Sequence, residues 1–174
     1  MFGICNLAII PLRFEPNDRS EIVSQVLFGE HFKILETQKQ WSKIKLQYDG
    51  YEGWIDSKQC QIISNEQFDL LSNEPIVLNA DLIDYITAPA NLLMPIPLAA
   101  SLSFLNHEAI NSSKFDFEGT TTTGIKDKNN LIQTSFLYLN APYLWGGKTP
   151  FGIDCSGFTP VSYTHLTLPT IYSV

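Results

Sequence analysis

The chain has 174 residues, 44% of them hydrophobic, and its 11 basic and 18 acidic residues give a formal net charge of −7. That hydrophobic share excludes a disordered or collagen-like chain and fits one ordinary domain or two to three small ones. The acidic balance leaves no electrostatic footprint for a phosphate backbone, so nucleic acid is not an expected partner. Cys5, Cys60 and Cys155 are odd in number, far apart and without CxxC spacing, which suggests neither a disulfide framework nor a zinc site. A reducing compartment fits best. The opening apolar run breaks at Pro11 before a signal-peptide core or a membrane span could form. The expectation is a cytoplasmic protein with no membrane span, periplasmic if a leader precedes the chain.

In chain order, "NLAIIPLRFEP" and "EHFKILET" read as short strands separated by the polar loop "EPNDRSE" and the turn-prone Gly29. In "WSKIKLQYDGYEGWI", Ile44, Leu46 and Tyr48 alternate with polar residues before Asp49-Gly50, which predicts a hairpin closed by a two-residue primed turn. Four or five such strands suggest a small barrel, with Trp41 and Trp54 expected in its core. Residues 64–75 are polar and read as a linker or short helix. The stretch 75–106 carries four prolines among brief apolar runs, and residues 76–118 read as a second small β subdomain, a further barrel being one form of it. "GTTTTG" reads as a flexible loop. A helix follows, capped by Asp127 or Asn129, with Leu131, Ile132, Phe136 and Leu139 at helical spacing and Pro142 as its stop.

Two resemblances emerge. Residues 3–63, with Gly-Glu before a strand and Gly-Trp-Ile closing the hairpin, resemble a bacterial SH3-type domain. Residues 128–159 contain "YLWGGKTPFGIDCSGF", which resembles the NlpC family of peptidoglycan cysteine peptidases. The expected fold class is α+β: an N-terminal SH3-like barrel over 1–63, the linker 64–75, the subdomain 76–118, and the first part of a papain-like domain over 119–160.

The resemblance implies that Cys155 is the nucleophile, opening a helix after a glycine-rich loop. Independent physics agrees, because a helix N-terminus presents unpaired N–H groups and a positive dipole end that favour the thiolate and can donate to an oxyanion. It further implies that Asp154 and Ser156 help hold the free amine of an L-alanyl terminus, and that Tyr143 and Trp145 position the thiol or wall the cleft. Where such enzymes carry SH3-type domains, those domains narrow the cleft, which makes Tyr51 and Glu52 candidates for that wall. Asp154 has an ordinary alternative as a helix N-cap. The implied activity is cleavage between γ-D-glutamate and a diamino acid in short wall-derived peptides, with no metal and no cofactor.

The chain departs from the family after Cys155. A cysteine peptidase needs a histidine base, which the family places well downstream. The one histidine after the nucleophile here is His165, within "THLTLPT". Residues 161–174 read as a non-native tail, and Pro160 with several threonines stands where the family continues an amphipathic helix. His165 is therefore not expected to be catalytic, and the chain as written is expected to be inactive for want of its histidine. The alternative reading is an SH3-type module that binds wall peptide without catalysis. A third, a papain-like acyltransferase or amidase of other substrates, is disfavoured by the SH3-like flank and the Asp-Cys-Ser trio.

Overall fold

The computed structural model describes residues 1–123 and 128–164, with the side chains of 128–131 and 160–164 excepted. The N-terminal unit is a seven-stranded antiparallel sheet: β1 (Phe2–Ile4), β2 (Ile9–Arg13), β3 (Ile22–Leu27), β4 (His31–Gln38), β5 (Trp41–Leu46), β6 (Glu52–Asp56) and β7 (Gln61–Ile63), in the order β3-β2-β6-β5-β4-β1-β7. Alternation explains it. Along β2 and β5, Ile10, Leu12, Ile44 and Leu46 turn inward and meet Cys5, Val26, Phe32 and Ile55 in one buried cluster. Trp41 is buried and Trp54 half-buried.

The β5–β6 turn differs from the two-residue form expected. The Leu46 N–H donates to the Tyr51 carbonyl and the Gly50 N–H to the Leu46 carbonyl, so residues 47–50 form a four-residue loop. Among these only Gly50 has positive φ, at 71°. A primed turn needs it at both central positions, and Asp49 instead keeps an ordinary backbone. The added length carries Tyr48 out of the strand alternation.

Residues 64–75 are structured. Helix α1 (Asn65–Asn73) starts from a full capping box, Ser64 with Gln67, and buries Phe68 and Leu71. The next region forms β8 (Leu78–Asn79), the hairpin β9 (Ile83–Ala88) and β10 (Leu92–Pro97), and β11 (Thr121–Thr122). β11 pairs with β8, so part of the threonine run read as a free loop is a strand. Ile86, Ile96, Phe104 and Phe115 of this region share one cluster with Ile63 of the sheet, Phe28 just after β3 and Phe68 of α1. The segment thus packs on the barrel through a common core.

Helix α2 (Lys128–Leu137) forms where expected, but its burial does not follow the apolar spacing. Ile132 and Phe136 are 54% and 65% exposed, while Thr134 and Tyr138 are 4% and 6% exposed. Tyr138 decides the orientation by packing with Leu98, Ala99 and Ile153. A hairpin follows, β12 (Lys148–Thr149) with β13 (Gly152–Ile153), then α3 (Cys155–Thr164). α3 runs through Pro160 and forgoes the backbone hydrogen bond that a proline cannot donate. Of the proposed tail 161–174, residues 161–164 continue α3, and the rest, with His165, lies outside the described residues. No helix among the described residues is long and apolar enough to cross a membrane.

The shared core has a pH signature. His31 sits edge-on to Phe68, with Nε2 at 3.2 Å from Ser72 Oγ, and burial lowers its pKa from 6.5 to about 4. Between those values the unfolded chain takes up a proton that the folded chain refuses. The His31 contribution is therefore intact above pH 6.5 and is lost as pH falls through 4, by roughly 3 kcal/mol. Denaturant midpoints at neutral and mildly acidic pH should show this loss, and His31→Gln should flatten it. A step of full size in the variant would assign the acid lability elsewhere.

Candidate active site

α3 begins at Cys155 because Asp154 caps it. Asp154 Oδ1 accepts the Gly157 N–H at 2.7 Å and the Ser156 hydroxyl at 2.6 Å, and Oδ2 accepts the Gly146 N–H at 2.8 Å. One buried carboxylate therefore ties the glycine loop to the helix start. Burial raises its pKa, but the hydrogen bonds from Ser156, Gly157 and Gly146 outweigh that and hold it below the usual aspartate range. Gly146 is required by space as well as by its φ of 74°: a Cβ there would lie 2.3 Å from the Ile22 carbonyl oxygen of the barrel. The loop thus rests directly on β3.

Beside this helix start lies a cleft of about 110 Å³. Ser24, Asp49 and Tyr51 of the barrel line one side, and Lys148, Asp154 and Ser156 line the other. Lys148 Nζ reaches past the cleft to Glu30 Oε1 at 3.1 Å, in a pair whose side chains are 5% and 13% exposed, and lies 4.0 Å from Asp49. Burial alone would push Lys148 down, yet Glu30 and Asp49 hold it above the ordinary lysine value. Burial pushes Glu30 up, and Lys148 offsets part of that. An ionised carboxylate fits the geometry, since Glu30 Oε2 also accepts the Leu27 N–H at 2.7 Å. Asp49, 4.0 Å from Lys148, and Asp154 are the acidic side chains that line the cleft.

Of the residues nominated from sequence, Cys155 is exposed at the first position of α3, and Asp154, Ser156 and Tyr51 meet at the cleft. Glu52 points elsewhere, at Lys45 and Lys43, 3.3 and 3.7 Å away on the outer face of the sheet. Tyr51 precedes β6 and lines the cleft, whereas Glu52 opens β6 with its carboxylate against the two lysines of β5. Tyr143 is 68% exposed and bridges Ile153 through the backbone. Trp145 is exposed, and its indole N–H donates to the Glu21 carboxylate. His31 and His107 are engaged away from Cys155, with Ser72 and Glu74. Sequence reasoning missed Asp49, read only as a turn residue, and the Lys148–Glu30 pair. A lone lysine inside an otherwise uncharged glycine-aromatic loop was the available signal.

Residues 12–59 match the bacterial dipeptidyl-peptidase SH3 domain, and residues 140–170 match the NlpC/P60 family. A segment similar to an SH3-type domain thus precedes a segment similar to the NlpC/P60 family. It is 26% identical over 184 residues to a gamma-D-glutamyl-L-lysine dipeptidyl-peptidase of Bacillus cereus, covering 86% of this chain and 53% of that protein. It is 27% identical over 150 residues to a protein of the same name from Bacillus subtilis, covering 79% and 51%. The chain therefore spans about half the length of these relatives. The crystal structure of an NlpC/P60 family protein from Bacillus cereus shares the fold, with a TM-score of 0.69 at 18% identity over 95% of this chain and 72% of that one. Cys155 and its Asp-Cys-Ser-Gly-Phe run, residues 154–158, fall within the stretch that matches NlpC/P60.

The three thiols should separate by reactivity. Cys5 is fully buried with its pKa pushed far up, burial pushes half-buried Cys60 up to about 11, and Cys155 is exposed. Iodoacetamide at neutral pH, read by peptide mass spectrometry, is expected to label Cys155 at least about tenfold faster than the other two. Equal labelling of Cys60 would contradict the placement.

Proposed function

We propose that the protein is a cysteine endopeptidase that cuts the bond between γ-D-glutamate and a diamino acid in short wall-derived peptides bearing a free N-terminal L-alanine. One observation carries the reading: an exposed cysteine at a capped helix start lies beside a small cleft walled by a second domain and furnished with two carboxylates. An ammonium is well matched by Asp49, Asp154 and the Ser156 hydroxyl, and poorly by an apolar wall. The barrel blocks extension past that amine, which selects a peptide end over intact wall. The names of the two Bacillus relatives, gamma-D-glutamyl-L-lysine dipeptidyl-peptidases, support the same substrate class.

In this reading Cys155 Sγ attacks the γ-carbonyl carbon of D-glutamate, and N–H groups at the start of α3 stabilise the oxyanion. The C–N bond breaks, the amine of the diamino acid leaves with a proton, and water hydrolyses the thioester. The base is assigned to no described residue. A chain that supplies the histidine base is expected to hydrolyse L-alanyl-γ-D-glutamyl-diaminopimelate and to turn over its Nα-acetyl derivative at least about a hundredfold less efficiently, the loss of one buried charge-assisted contact. Comparable turnover of both would remove the amine-binding role, and turnover of neither would leave a peptide-binding module.

A further inference from the structure

The Lys148–Glu30 pair is unused by the chemistry above, yet it is the most deeply buried ion pair among the described residues. Its setting is unusual in three ways. Lys148 belongs to the NlpC/P60 segment, but the barrel holds both its ends: the backbone N–H donates to Gln25 Oε1 at 2.7 Å, and the ammonium meets Glu30 and approaches Asp49. Glu30 is itself fixed by the Leu27 N–H. In register, Lys148 pairs with Ile153, the residue before Asp154.

A single ammonium therefore fixes two groups that face each other across the cleft. Toward the barrel it holds Asp49, whose Oδ1 accepts the Tyr51 N–H at 2.9 Å and so shapes the loop that carries Tyr51. Toward the peptidase segment it holds the β12–β13 hairpin that delivers Asp154 to the start of α3. A buried charge pair is a poor source of net stability compared with an apolar replacement but a strong determinant of register, because only one arrangement leaves neither charge unpaired.

We propose that Lys148, with Glu30, is a positioning pair that docks the barrel on the peptidase segment and sets the separation of Asp49–Tyr51 from Asp154–Ser156. The proposal deepens the reading under Proposed function and rests on it for the identity of the occupant. It assigns to Lys148 no contact with substrate.

The test uses this chain with Lys148→Met, Glu30→Gln and Lys148→Arg. Calorimetry with L-alanyl-γ-D-glutamyl-diaminopimelate reads the cleft, iodoacetamide labelling reads the Cys155 environment, and amide exchange at Gly146 and Lys148 reads docking. Lys148→Met and Glu30→Gln are expected to weaken peptide binding at least about tenfold and to speed exchange at both amides. Cys155 labelling should change far less, because Asp154 still caps α3. Lys148→Arg, which preserves the charge, should recover most of the affinity. Unchanged affinity and exchange in both neutral variants would overturn the proposal, as would binding and labelling that collapse together with no recovery in Lys148→Arg. If the parent chain binds no tripeptide, the substrate reading fails, and the pair is then judged on exchange alone: faster exchange in the neutral variants sustains docking, and unchanged exchange refutes it.

Discussion

Cys155→Ala is expected to lower turnover of the tripeptide by roughly 10⁴-fold or more in a chain that supplies the histidine base, while leaving its affinity within about threefold. Removal of a nucleophile deletes the bond-forming step, and the oxyanion donors and substrate contacts that remain recover only a small part of the rate. Affinity is preserved because the cleft is lined by Asp49, Tyr51, Asp154 and Ser156, whereas the thiol stands beside it at the start of α3. Steady-state kinetics together with calorimetry separate these effects. Residual turnover near the parental level would remove Cys155 from the chemistry altogether.

Asp154→Ala is expected to damage both architecture and binding. It deletes three hydrogen bonds at once, from Gly146, Ser156 and Gly157. Loss of an N-cap costs about 1 kcal/mol, and buried N–H groups left without an acceptor cost about 1–3 kcal/mol more. A total of about 2–4 kcal/mol should appear as earlier unfolding of the segment that carries α3. Asp154→Asn separates the roles, since asparagine caps a helix nearly as well but carries no charge. The expected outcome is recovered stability with peptide binding still weakened about tenfold or more. Full recovery of binding by asparagine would leave Asp154 a cap and nothing else.

The barrel was legible because its signal is local. Strict alternation in β5, turn residues at Gly29 and Gly50, and short spacing between strands each derive from backbone geometry that a few neighbouring residues decide. The start of α3 was legible for the same reason, with an Asp, a Cys and a run of glycines adjacent in sequence. Misreadings arose where distant partners decided the outcome. Helix α2 carries its apolar residues at helical spacing, yet Tyr138 packing on Leu98 and Ala99 turns Ile132 and Phe136 outward. The threonine run offers no hydrophobic pattern, and β11 exists only because Asn79 and Leu78 pair with it.

The cleft shows the same division. Asp154 and Ser156 were visible as flanks of the cysteine, whereas Asp49 and Glu30 stand about a hundred residues earlier and acquire their roles only through Lys148. Sequence alone offers Tyr51 and Glu52 for the wall and gives Asp49 only a place in the turn. A two-residue primed turn leaves Asp49 no role beyond its backbone, while the longer loop carries its carboxylate over the cleft.

The most direct measurement of the central claim is covalent capture by a substrate-shaped electrophile, L-alanyl-γ-D-glutamyl chloromethyl ketone, followed by mass spectrometry. The predicted result is alkylation at Cys155 alone, at least about tenfold faster than by the Nα-acetyl version of the same reagent. Labelling that ignores the free amine, or that falls on Cys60 as readily as on Cys155, would contradict a barrel-walled cysteine site.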